Sequence, residues 1–172
     1  GEHSKVNFRA YGGGRLGGLE AADSPATPVG PTRGSIAFAG AYEDAKIMLA
    51  ARSSRYVPRR KSLQKPVFCS GPIRYIGQED LVADLQNLKA ALSGVDIEEA
   101  FITAIFPSNM EDSYENRYYP SDEEYLTALA DALNVEYKAI VEAGFLLRID
   151  DPRMATHYNR TPDASIEDCR RF

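Results

Sequence analysis

Along residues 119–152 the hydrophobic positions follow two patterns in succession. Leu126, Leu129, Ala130, Leu133, Tyr137, Ile140 and Val141 recur every three or four residues while Asp131, Glu136 and Lys138 stay off the stripe, which predicts one long amphipathic helix. Ser121 followed by Glu124 forms a capping box at its start, and Gly144 supplies the left-handed residue that ends it. Residues 145–149 are short, mostly apolar and bounded by a turn, as expected of a parallel strand buried on both faces. Asp150 and Asp151 follow at its carboxyl end, and Pro152 forbids further pairing.

The same alternation runs upstream. Val67, Phe68, Cys69 and Ser70 predict a short buried strand, with Gly71-Pro72 as a turn at its carboxyl end. Leu81, Leu85, Leu88 and Leu92 make a helical stripe that stops at Ser93-Gly94. Residues 100–106 read as another buried strand ending at Pro107-Ser108-Asn109, and residues 110–119 as a polar loop. The order is βαβαβ, which calls for an α/β fold with a parallel sheet and right-handed crossovers. A complete (β/α)8 TIM-type barrel takes about 250 residues, so the chain is expected to supply a partial barrel whose open edges need the remainder of the barrel or self-association to cover them.

The first 66 residues are less regular. Phe8, Tyr11, Leu16 and Leu19 have helix-like spacing interrupted by Gly12, Gly13, Gly14, Gly17 and Gly18, which predicts a broken helix. Gly12, Gly14 and Gly17 formally fit G-x-G-x-x-G, but no strand precedes them, and a dinucleotide loop needs one. Residues 21–34 predict a loop, and residues 35–51 are ambiguous, with Ile36, Ala37 and Phe38 strand-like and 42–50 helix-like. Arg52, Arg55, Arg59, Arg60, Lys61 and Lys65 form the one basic cluster, read as a solvated loop. The layout is thus one partial barrel domain over 1–172: an N-terminal helix, loop and insertion in 1–66, the βαβαβ core in 67–152 and a tail in 153–172. The absence of an initiator Met and the capped turn at Ser165 read as signs of a fragment.

Composition narrows the function classes. With 172 residues and 44% hydrophobic content the chain can bury a core. A formal net charge of −5 argues against nucleic acid as a partner, which demands a basic face. No apolar run is long enough to cross a membrane. Cys69 and Cys169 form no C-x-x-C pair and follow no signal peptide, so the expected location is cytoplasmic.

Several segments taken together carry a family likeness. Gly1-Glu2 with Phe8, Tyr11 and Arg15-Leu16, then Ser54-Arg55-Tyr56, then Lys65-Pro66-Val67 through Ser70-Gly71-Pro72-Ile73, and finally Arg148-Ile149-Asp150-Asp151-Pro152 occur in order. This set resembles the cobalamin-independent methionine synthase superfamily, both its catalytic C-terminal barrel and the shorter single-barrel proteins related to it. The resemblance implies a zinc-dependent thiol methyltransferase of the 5-methyltetrahydropteroyltriglutamate-homocysteine methyltransferase type. Such an enzyme transfers a methyl group from methyltetrahydrofolate, or an alkyl group from another donor, to a small-molecule thiol such as homocysteine. Zinc would lower the thiol pKa so that a thiolate exists at neutral pH. The likeness implies that Glu2 and Asp150 hold the amino group of the substrate. The family's zinc ligands lie on strands beyond Phe172, so no metal site is assigned here, no residue is assigned a catalytic role, and the chain by itself is expected to be inactive. There is no Trp in the chain, whereas a tryptophan stacks on folate in true methionine synthases, which favours the short relatives.

The expected substrate-binding residues are therefore Glu2, Asp150, Ser70 and Gly71, the last two through backbone groups at a strand end. Asp151 should point away from Asp150 in a regular strand. Ser108 and Asn109, at another strand end, are weaker candidates, and His3 and His157 read as surface residues. Two alternatives stand beside this reading: a noncatalytic barrel fragment, and another small-molecule enzyme on the same barrel, such as a uroporphyrinogen decarboxylase-like protein.

Overall fold

A computed structural model describes residues 8–23, 30–44 and 66–171; Glu2, His3, the basic cluster and the Ser54-Arg55-Tyr56 segment lie outside them. The chain is mixed α/β and divides into two compact units. One gathers the described residues of Gly1–Ala22 and Val67–Asp151, the other those of Asp23–Pro66 and Pro152–Phe172.

The first unit begins with helix α1 (Phe8–Arg15), which gives way at once to strand β1 (Leu16–Ala21). Gly12 and Gly14 thus lie in a helix that precedes a strand, the reverse of a dinucleotide-binding loop. β1 pairs antiparallel with β2 (Val67–Tyr75). β2 is longer than the four residues expected, and Gly71-Pro72 lies inside it instead of ending it. The ladder explains this: Gly17 pairs with Arg74 and Leu19 with Cys69, so Ser70, Gly71, Pro72 and Ile73 all stand opposite Gly18. Such a bulge accommodates Pro72, which cannot donate to a ladder. Gly18 has φ +90°, and a Cβ there would sit 2.6 Å from the Pro72 carbonyl oxygen, so only glycine lets the two backbones approach. The Ile73 N–H at the bulge donates to the Tyr119 hydroxyl at 2.9 Å.

Helix α3 (Gln78–Leu92) follows β2; helix α2 belongs to the other unit. α3 buries Leu81, with Leu85, Leu88 and Leu92 half-buried along the same stripe. Strand β3 (Phe101–Ile105) forms where expected. The segment expected to be a polar loop instead holds helix α4 (Pro107–Ser113) and the short strand β4 (Glu115–Asn116), which runs parallel to β2. Pro107 begins the helix because its missing N–H is one of the donors a first turn leaves free, and Met110 and Tyr114 are fully buried.

Helix α5 (Asp122–Glu142) matches the predicted stripe in outline. The Ser121 hydroxyl accepts from the Glu124 N–H at 3.2 Å, which is half of the expected capping box, and Gly144 adopts φ +87° at the stop. The buried face is Tyr125, Leu129, Ala132, Leu133, Glu136 and Ile140. Glu136 is therefore on the stripe, not off it, while Ala130 and Val141 face water. Strand β5 (Leu146–Asp150) pairs parallel with β3 in register from Phe101 against Leu146 to Ile105 against Asp150. It is not buried on both faces: Leu146 is 52% and Ile149 44% exposed, because β3 and β5 make a sheet of two strands among the described residues. The other sheet has the order β1-β2-β4.

In the second unit, residues 36–38, read as strand-like, fall within or next to helix α2 (Arg33–Ala37). Thr32 and Ser35 form a full capping box: the Thr32 hydroxyl accepts from Ser35 N–H at 3.1 Å and Ser35 Oγ from Thr32 N–H at 2.8 Å. Local capping thus overrides the β-branched signal of Ile36. Arg33 reaches the end of helix α6 (Pro152–Arg160), where its guanidinium donates to the carbonyls of Tyr158, Thr161 and Ala164 and lies over the Tyr158 ring. A cation there satisfies carbonyls that a helix end leaves without partners. Helix α7 (Ile166–Arg171) opens on Ser165, which exchanges hydrogen bonds with Asp168 as predicted from the sequence.

Candidate functional site

The parallel pair β3 and β5 brings two chain segments together at their carboxyl ends. The Asp150 carbonyl accepts from the Phe106 N–H at 3.2 Å and from the Asn109 side-chain amide at 3.0 Å. The Ser108 hydroxyl donates to Asp151 Oδ1 at 2.9 Å. Tyr137, on α5, donates to the carbonyl of Ile105, the last residue of β3. Burial chiefly, and then the neighbouring Glu136 and Asp151 charges, push the Tyr137 phenol well above its ordinary pKa. Asp150 is half-buried, and its carboxylate makes no hydrogen bond or ion pair with another described residue. The cluster is therefore a rigid backbone corner that presents one carboxylate and anchors another.

The expected site residues divide. Asp150 is at this corner, and Ser108 and Asn109, the weaker candidates, prove to be its immediate supports. Ser70 and Gly71 are in the bulge of β2, on the other sheet, and neither is at a strand end. Glu2 lies outside the described residues. His157 is half-buried on α6, where its carbonyl accepts from Thr161.

A second polar cluster was missed in the sequence. Arg15 Nη1 donates to Glu136 Oε2 at 3.2 Å and to the Tyr75 hydroxyl at 3.3 Å, while Tyr75 in turn donates to Glu136 Oε2 at 2.8 Å. Arg15 Nη2 meets Asp84 at 2.6 Å. Arg15, Tyr75 and Glu136 are 5%, 7% and 0% exposed, so no ligand reaches them, and burial raises the Tyr75 pKa. The readable signal was Glu136 itself, seven residues beyond Leu129 and four before Ile140 on the apolar stripe.

The described residues do not fit a zinc ion. Among them no three His, Cys, Asp or Glu side chains are close enough to hold one. Cys69 is fully buried and its thiol is pushed up by burial, the reverse of what a ligand or nucleophile needs. Cys169 is half-buried, with its sulfur 3.8 Å from the Thr161 hydroxyl. No helix is long and apolar enough to cross a membrane among the described residues. No protein family, curated protein or solved structure was found to match the chain.

Proposed function

We propose that this chain is an arc of a (β/α)8 barrel of the cobalamin-independent methionine synthase type, and that Asp150 binds the ammonium group of an amino-acid thiol such as homocysteine. One observation carries the reading. Asp150 ends a parallel strand with its backbone clamped by two donors and its carboxylate free of other described residues. An ammonium leaving water needs a charge-assisted partner held in place, and the carboxyl ends of parallel strands are where barrels and open α/β sheets keep such groups. The ordered likeness from Lys65 to Pro152 supports the same assignment, with Glu2 as the second carboxylate.

The zinc that activates the thiol in such enzymes would be held by other residues of the polypeptide, and the donor would be methyltetrahydrofolate or another alkyl donor. Exposed Phe101, Leu146 and Ile149 on the two-stranded sheet fit a face that further barrel strands cover. Free Cys69 and Cys169 fit a reducing, cytoplasmic setting.

Calorimetric titration with L-homocysteine tests the assignment. Losing a hydrogen bond to a charged group costs about 1.5–3 kcal/mol, so Asp150→Asn should weaken binding by roughly 10- to 100-fold. Unchanged affinity removes Asp150 from the site.

A further inference from the structure

A carboxylate on a strand end selects a cation only if its backbone cannot swing, and at the end of β5 the restraint comes from the turn that follows β3. Both donors on the Asp150 carbonyl, the Phe106 N–H and the Asn109 amide, belong to the cap and first turn of α4, which follows β3, and together they can fill the oxygen's two lone pairs. Ser108 is 5% exposed, so its hydroxyl is sheltered from exchange with water while it donates to Asp151 at 2.9 Å. Asp151 also lies close enough to Tyr137 for its charge to act on that phenol, which puts Asp151 on the side of α4 and α5. Asp150 ends β5 and Asp151 follows it directly; side chains alternate along a strand, so with Asp151 tied to this side Asp150 is directed to the other.

We infer that Ser108 and Asn109 are positioning residues for the ligand-binding carboxylate. Ser108 fixes the direction of the acid pair through Asp151, and Asn109 fixes the height of Asp150 through its carbonyl. Neither touches the ligand. The inference rests on the reading of Asp150 as the amine ligand, and it divides the labour between two adjacent acids: Asp151 anchors and Asp150 binds.

The experiment is a comparison of two thiols, L-homocysteine and its des-amino analogue, titrated calorimetrically into the whole chain and into Ser108→Ala, Ser108→Thr, Asn109→Ala and Asp150→Asn. Ser108→Ala and Asn109→Ala should each weaken L-homocysteine binding by roughly 5- to 10-fold, the value of one hydrogen bond, and leave the des-amino analogue unchanged. Ser108→Thr, which keeps the hydroxyl, should restore most of the affinity. Equal losses for both thiols would assign Ser108 and Asn109 a merely structural role and overturn the inference. Asp150→Asn weakening L-homocysteine while Ser108→Ala and Asn109→Ala change nothing would overturn it alone. A wild-type chain that binds neither thiol, or an Asp150→Asn variant that binds as well as wild type, would overturn the reading of the site and the inference with it.

Discussion

Glu136 and Asp150 are acids in the same unit, and they are held in opposite ways. Glu136 is fully buried, with a guanidinium and a phenol both on its Oε2 atom. Asp150 is half-buried, with its backbone restrained and its carboxylate engaged by no other described residue. A buried charge is tolerated only when paired and hydrogen-bonded, so the Glu136 carboxylate is committed to the fold and sealed from any ligand. A strand-end carboxylate keeps its capacity to accept, and what the fold supplies there is direction. Perturbed surroundings alone therefore do not mark a site; the useful distinction is whether the charged atoms are already spent on the protein.

The largest test of this contrast is Glu136→Ala. It removes the fully buried carboxylate that Arg15 and Tyr75 share, leaving Arg15 with the partly exposed Asp84, and should cost about 3–5 kcal/mol of stability, read from the urea midpoint. A loss below about 1 kcal/mol would mean that the cluster is not what holds α1, β2 and α5 together.

Next in size is the response to alkali. Burial is the first cause of the raised pKa of Tyr75, Tyr125 and Tyr137. Each neutral phenol binds its proton more tightly folded than unfolded. The stabilisation is therefore complete below the unfolded pKa of about 10, and is lost as pH climbs through that value toward the folded one. The melting temperature should be level near pH 8 and fall steeply above about pH 10, less steeply in Tyr125→Phe. A level profile through that window would show that these hydroxyls are not held protonated by the core.

The smallest expected effect is that of Asp150→Asn on stability. With no side-chain partner to lose among the described residues, it should shift the unfolding free energy by less than about 0.5 kcal/mol, even as it weakens ligand binding. A destabilisation above about 1 kcal/mol would make Asp150 a structural residue like Glu136 and erase the contrast.

Elements built from local signals were legible in the sequence. α5 was marked by its cap at Ser121, its apolar period and Gly144; β3 and β5 were marked by short apolar runs between turns. Elements that depend on a distant partner were not. Gly71-Pro72 carries a strong turn signal, yet the chain continues as strand because Gly18, far away in sequence, opens room for a bulge. Pro107-Ser108-Asn109 reads as a strand end and is also a helix start, since proline suits both. Of the candidate site, Asp150 could be picked from the sequence, whereas the support it receives from Ser108 and Asn109 needed the pairing of β3 with β5.

Local signals in the chain are enough to specify an α/β protein with a long capped helix feeding a strand that ends in two acids. Those features depend on contacts within a few residues, where backbone preference and side-chain period decide the outcome. Which acid would be sealed into the core and which would stand at a strand end was decided only by tertiary structure. Arg15 and Tyr75 reach Glu136, and Ser108 reaches Asp151, across separations of 121, 61 and 43 residues. No local pattern encodes such a meeting; it arises when burial of the apolar faces brings the strands and helices into register.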